Sequence, residues 1–101
     1  MSLFETGPVM ATPGIREIMD RGFQAIDAIQ KCLDMHCQGD WGDLCDEDKE
    51  LNQKSLDEER EQGYTYERLF SSYETEFGKI YIITECDRSA TTILLPEEYR
   101  G

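Results

Sequence analysis

Long apolar runs are missing from this 101-residue chain, and no stretch nears the ~18 consecutive apolar residues that a membrane-spanning helix requires. The start, Met1-Ser2-Leu3-Phe4-Glu5, has no basic region leading into an apolar one, so no secretory signal is expected. Basic residues are scarce, 10 Lys and Arg against 22 Asp and Glu for a net charge of −12, which disfavours direct binding to nucleic-acid phosphates. With a single histidine, His36, chemistry built on several imidazoles is excluded. A glycine-rich phosphate loop, a G-x-S-x-G elbow and an H-E-x-x-H helix are also absent. The four cysteines (Cys32, Cys37, Cys45, Cys86) are irregularly spaced and include no C-x-x-C pair. Without a secretion signal they point to a reducing bacterial cytoplasm rather than to a disulfide framework. A zinc site could be drawn only by joining Cys32 and His36, four apart on a helix, to distant cysteines. Cysteine on an amphipathic helix is ordinarily core, so neither metal nor cofactor is expected.

What remains suits one small α+β domain with a modest core. Residues 1–11 lack periodicity and contain Gly7 and Pro8, and read as a flexible N-terminal arm before a single domain over 12–101. Thr12-Pro13 resembles a helix start. Ile15, Ile18, Met19, Phe23, Ile26, Ile29 and Leu33 then follow at three- and four-residue steps, predicting one amphipathic helix closed by Gly39. A second helix, capped by Asp43 or Asp46, runs to Gln62 and stops at Gly63. Its only aliphatic anchors are Leu51 and Leu56, so it is expected to be mostly exposed. Beyond Gly63 the period changes to two: Tyr64 to Glu74, Lys79 to Glu85 and Ala90 to Leu95 read as strands joined by short turns, with Pro96 ending the last. The predicted architecture is two N-terminal helices followed by a three-stranded antiparallel β-meander.

Two dense clusters of chemically capable residues stand out. The first, His36-Cys37-Gln38-Gly39-Asp40-Trp41-Gly42-Asp43, places His36 near a helix C-terminus with Asp40 and Asp43 close by in sequence. His36 could be a general acid/base oriented by one of those acids, or a packing histidine tied to a carbonyl or carboxylate. Trp41, between two glycines, could anchor the inter-helix loop on the core or serve as a stacking platform. The second cluster, Glu85, Asp87 and Arg88, sits between two apolar strands, with Ser89, Thr91 and Thr92 adding hydroxyls. Alternation sets Tyr81, Ile83 and Glu85 on one side and Ile80, Ile82 and Thr84 on the other, and turns Thr91 and Thr92 away from each other. Arg88 could knit helix and sheet together through a bidentate pair with a carboxylate of the His36 loop, or hold a substrate anion. The candidate catalytic residues are thus His36, Asp40, Asp43 and Arg88. The candidate binding residues are Trp41, Glu85, Asp87, Arg88 and Thr91.

Gly39-Asp40-Trp41-Gly42-Asp43-Leu44, Asn52, Ser72-Tyr73, Ile83-Thr84-Glu85, Asp87 to Thr92 and Leu94-Leu95-Pro96-Glu97-Glu98-Tyr99 together resemble a family of small bacterial proteins encoded on plasmids or integrated mobile elements. The likeness covers about Leu33 to Tyr99, and His36 matches the histidine that shortly precedes Gly-Asp-Trp-Gly. Family members carry Gly-x-Arg before the strand ending in Ser-x-Tyr; here Arg68 is kept and the glycine is replaced. Some relatives are labelled as restriction-modification subunits, but a chain of this length without a cofactor loop cannot be a methyltransferase. The resemblance implies a genetic setting rather than a mechanism.

From Asp40 to Glu61 ten acids face three cations, −7 of the total charge. A basic surface on a partner would be attracted and steered by such a segment. The expected function is that of a cytoplasmic, non-enzymatic accessory protein of a mobile element that binds a basic protein partner, for instance with its carboxylates imitating DNA phosphates. The alternative is a small hydrolase or nuclease-like enzyme using His36, Asp40 and Arg88, which requires the three to converge on a solvent-open pocket. A homodimer through the Tyr- and Phe-rich edge strand is a further expectation.

Overall fold

The computed structural model describes residues 2–100, so the outer ends of the expected ranges, Met1 and Gly101, lie outside it. Along the chain run β1 (Val9–Ala11), α1 (Pro13–Met19), α2 (Phe23–Cys37), α3 (Asp46–Gln62), β2 (Leu69–Thr75), β3 (Gly78–Thr84), β4 (Thr91–Leu94) and a 3-10 turn (Pro96–Glu98). The fold is α+β, but with three helices and a four-stranded mixed sheet in the order β1-β4-β3-β2.

Two corrections to the predicted layout share a cause in the N-terminal third. The segment read as a flexible arm contributes β1, which pairs in parallel with β4 (Val9 opposite Thr91, Ala11 opposite Ile93), and it buries Phe4. Three residues are too few for periodicity to register. The single long helix is broken at Asp20–Gly22, where the N–H groups of Arg21 and Gly22 turn back onto the carbonyls of Ile18 and Met19. The break lets α1 and α2 each set their own stripe on the sheet. Ile15, Ile18, Ala25, Ile29 and Cys32 are buried, whereas Phe23 and Ile26, expected in that stripe, are exposed.

The sheet face under these helices carries Ser71, Tyr73, Ile80, Ile82, Thr84, Thr91 and Ile93, all buried. The predicted alternation of β3 holds, with Thr84 inward and Glu85 exposed. Each fully buried isoleucine contributes about 2 kcal/mol of transfer free energy. The N-terminus of α1 is closed from the far end of the chain. Glu98 accepts from the Thr12 hydroxyl (2.6 Å), the Gly14 N–H (3.0 Å) and the Leu95 N–H (2.9 Å). Thr12 therefore occupies the N-cap position, but its side chain bonds Glu98 rather than its own helix.

Helix α2 ends as expected: the Asp40 N–H bonds the Met35 carbonyl and the Gly39 N–H the His36 carbonyl, a Schellman closure. The following loop then runs beside β2. The Ser72 N–H donates to the Trp41 carbonyl (3.2 Å) and the Asp43 N–H donates to the Ser72 carbonyl (2.8 Å). Gly42 permits this approach. It has φ +78, and a Cβ there would overlap the Ser72 carbonyl oxygen.

Helix α3 spans Asp46–Gln62 and stops at Gly63 as predicted, but with Cys45 at the N-cap position. Its buried residues are Asn52 and Ser55 rather than leucines, and Leu51 is 46 % exposed. Asn52 acts as a one-residue strand: its Nδ2 donates to the Phe70 carbonyl (2.7 Å) and its Oδ1 accepts from the Phe70 N–H (3.0 Å). The outward-facing backbone groups of Phe70 and Ser72 are thereby satisfied within the chain. The expected route to a homodimer through the Tyr- and Phe-rich edge strand is occupied at these positions.

Replacing Asn52 by Ala removes both Phe70 bonds together and is expected to lower stability by about 2 kcal/mol. In hydrogen exchange, the Phe70 amide should become much faster, by more than the general increase that the lost stability gives the Ile82 amide. Unchanged Phe70 exchange would show that Asn52 does not protect this edge.

Candidate functional site

The two sequence clusters meet in space, through a residue that belongs to neither. Phe4 stacks on Trp41 (centroids 6.4 Å apart), meets the His36 ring edge-on (5.4 Å) and lies under the Arg88 guanidinium, whose Cζ is 5.8 Å from its ring centroid. His36 and Trp41 also make an edge contact at 5.6 Å. Trp41, Phe4 and Leu69 form a small second core, with Leu44 and Leu56 packed against it. Trp41 is therefore an anchor buried in the protein, with no face open for stacking a ligand.

His36 is fully buried (0 % exposed), and both ring nitrogens have hydroxyl partners, Ser71 at Nδ1 and Thr84 at Nε2 (2.9 Å). The chain continues from Thr84 Oγ1 to Thr91 Oγ1 (2.7 Å) and from Thr91 Oγ1 to the Thr6 carbonyl oxygen (2.8 Å). That carbonyl can only accept, and this orders every proton behind it. Thr91 must donate to Thr6, Thr84 must donate to Thr91, and Thr84 must in turn accept from His36 Nε2–H. Burial keeps the imidazole neutral, so its one proton is the one on Nε2, and Nδ1 accepts from the Ser71 hydroxyl. Burial, reinforced by the positive charge of Arg88, pushes its pKa down from 6.5 to about 4.

Arg88 is 7 % exposed and adopts φ +60, unusual for a side chain of this size. Its turn accounts for the backbone: the Arg88 N–H donates to the Glu85 carbonyl (2.8 Å), the Glu85 N–H to the Ala90 carbonyl (3.0 Å), and Asp87 accepts from the Ser89 N–H (3.0 Å). Hydrogen bonding by the Ser89 hydroxyl, and then by the Ser89 N–H, holds the Asp87 carboxyl below the usual range. Gly7 crosses close over this turn, where a Cβ would meet the carbonyl oxygens of Arg88 and Ser89. The guanidinium reaches α3, not the His36 loop. Nη2 donates to Ser55 Oγ (2.9 Å), Ser55 Oγ donates to the Glu67 carbonyl (2.7 Å), and Nε lies 3.1 Å from Glu59 Oε2. The Glu59 contact is an ion pair by distance only, because Nε finds no acceptor along its N–H direction.

The acids expected beside His36 are elsewhere. Asp40 is exposed and its Oδ1 accepts from the Gly42 N–H (3.2 Å), while its carbonyl oxygen accepts from the Tyr73 hydroxyl (2.6 Å). Asp43 pairs with Lys79 (3.4 Å), and hydrogen bonding to Ser72 and Lys79 holds its carboxyl below the ordinary value. Glu85 is exposed, whereas Thr91 is buried in the hydroxyl chain. His36, Asp40 and Arg88 thus do not converge on an open pocket. Among the described residues no three His, Cys, Asp or Glu side chains gather as a metal site. Cys32 is buried and its thiol is pushed up to about 11 by that burial.

The partners of this cluster were only partly visible in the sequence. Ser71 and Thr84 follow from strand alternation, while Asn52, Ser55 and Glu59 recur at helical spacing on a helix with few apolar anchors. Phe4 and Thr6 carry no such signal. No family model, curated protein or solved structure matches the chain.

Because folded His36 stays neutral down to about pH 4 while the unfolded imidazole protonates near 6.5, the unfolded state alone gains a proton between those values. Stability is complete above pH 6.5 and falls as pH drops toward 4, by an amount on the order of 3 kcal/mol. Denaturation midpoints measured across this range should show the loss, and His36→Gln should flatten it. The wild-type imidazole resonances should not titrate between pH 7 and 5. Titration near 6.5 would contradict the buried neutral chain.

Replacing Arg88 by Met removes the Ser55 bond and the Glu59 pair, at an expected cost of about 2–3 kcal/mol. It also removes a positive charge from beside His36. The lower limit of the acid-sensitive range should therefore rise toward the fixed upper limit near pH 6.5, and the stability lost across it should shrink. An unmoved lower limit would show that Arg88 does not act on the imidazole.

Proposed function

We propose that this chain is a non-enzymatic accessory protein of a plasmid or mobile element, working in the cytoplasm by binding a basic protein partner through the first turns of α3. The observation that carries this is an asymmetry among the α3 acids. In the C-terminal half, Asp57 pairs with Arg60, Glu58 accepts from Thr65 and Glu59 pairs with Arg88, so that among the described residues Glu61 is the one acid there without a partner. In the N-terminal half Asp46, Glu47, Asp48 and Glu50 have no ion-pair or hydrogen-bond partner among the described side chains, and only Lys49 interrupts them. The helix dipole accounts for acids in the first turn, but not for Glu50. An exposed field of one sign attracts and orients a partner of the opposite sign.

Burial of His36 and the engagement of Arg88 with α3 count against a hydrolase built on His36, Asp40 and Arg88. A general acid/base must reach its substrate, directly or through one water. The resemblance to mobile-element proteins supplies the genetic setting.

Immobilised protein should retain a basic partner from host lysate at low salt and release it as salt rises. Asp46→Asn/Glu47→Gln/Glu50→Gln should lose that retention, while the circular dichroism spectrum stays unchanged. Retention indifferent to salt and to these substitutions would discard the acidic-face reading.

A further inference from the structure

The sheet face turned away from α1 and α2 carries a half-buried aromatic floor that the buried cluster does not use. Phe70, Tyr81 and Tyr99 meet there, with centroids 4.9 Å apart for Phe70–Tyr81, 5.9 Å for Phe70–Tyr99 and 6.0 Å for Tyr81–Tyr99. They line a groove of about 400 Å³ whose other walls include Arg68 and, from the unpaired acidic half of α3, Asp48 and Leu51. Arg68 is held over Tyr99, its Cζ 5.4 Å from the ring centroid, and donates to the Tyr99 hydroxyl. That placement leaves most guanidinium N–H groups free.

We propose that this groove takes an extended, proline-containing basic segment of a partner protein. The proposal rests on the acidic-face reading above and names the kind of segment that face receives. Three features select the occupant. Strand addition is not available at Phe70 and Ser72, because Asn52, Trp41 and Asp43 already take their outward backbone groups. Recognition must therefore proceed through side chains. A polyproline II segment needs no backbone pairing, stacks its rings on aromatic side chains and presents solvated carbonyls as acceptors. The tyrosine hydroxyls and the Arg68 N–H groups are donors suited to those carbonyls. Charge then sets the flank: Asp48, with Glu47 and Glu50 on the same helix turns, favours Arg or Lys on the α3 side, and Arg68 opposes a cation on the Tyr99 side.

The test is fluorescence polarisation of the full chain with three labelled synthetic peptides: a proline-rich peptide with flanking arginines, the same peptide with alanine for proline, and the same peptide with glutamine for arginine. The first should bind saturably, and loss of the prolines should weaken it about tenfold. Tyr99→Leu keeps apolar cover but removes the ring and its donor, and should also weaken it about tenfold. Asp48→Asn should weaken it about threefold and flatten its salt dependence, while Glu61→Gln should change nothing. Equal binding of the proline and alanine peptides, no binding of any peptide, or an unaffected Tyr99→Leu would overturn the groove. Binding that needs arginine but not proline would leave the acidic-face reading standing without the groove. Binding that needs proline but not arginine would keep the aromatic floor and remove the acidic-face reading.

Discussion

A buried imidazole with two ring nitrogens needs partners of opposite hydrogen-bonding character, and meeting that demand ties five segments of this chain together. His36 comes from α2, Ser71 from β2, Thr84 from β3, Thr91 from β4 and the terminal acceptor from Thr6. Each hydroxyl is both donor and acceptor, so the order of protons is dictated from the Thr6 carbonyl backward. An unsatisfied member would leave a polar group desolvated at a cost of about 1–3 kcal/mol, which makes the chain intolerant of alternative packings. Aliphatic layers between α2 and the sheet could slide by a residue and still bury area. The hydroxyl relay could not, and it specifies register where the hydrophobic effect alone would not.

Helix α3 extends the same logic to the outer edge of the sheet. Its composition leaves little apolar surface to bury, so it is attached by directional bonds: Asn52 to the Phe70 backbone, Ser55 to the Glu67 carbonyl, and Arg88 to Ser55. Such bonds contribute modestly each but demand one geometry. They also let the opposite side of the helix be almost wholly charged without exposing a core. Arg88 is the point where the two polar systems meet, because its charge acts on His36 from one side and engages α3 on the other.

Much of this was legible in the sequence where local chemistry decides the outcome. Gly39 and Gly63 ending helices, Pro96 ending the last strand and the inward alternation of Ile80, Ile82 and Thr84 all follow from backbone preferences or period. Legibility failed where distant parts of the chain supply the missing partner. Strand β1 exists because β4 offers it a ladder, and the α1 N-terminus is capped by Glu98 rather than by Thr12. The break at Asp20–Gly22 did carry a local signal, a glycine inside the apparent stripe, which the continuity of the apolar spacing outweighed. The Trp41 loop and the Arg88 turn do lie together, joined through the Phe4 ring. The character of that meeting was hidden, since adjacency in sequence suggested Asp40 and Asp43 for His36 whereas strand neighbours provide Ser71 and Thr84.

The pairing of β1 with β4 sets a condition on the order in which the molecule can be completed. Thr12 and Glu98 are 86 residues apart and Thr6 and Thr91 are 85 apart, nearly the whole length of the polypeptide. Contacts of such separation carry the entropy of closing a long loop before they return any energy. On the ribosome the imidazole of His36 would emerge early and remain hydrated until the last strand had left the exit tunnel. Docking of the amino-terminal segment is thus a closing event, and a chain truncated before Thr91 would lack the means to dehydrate its own histidine.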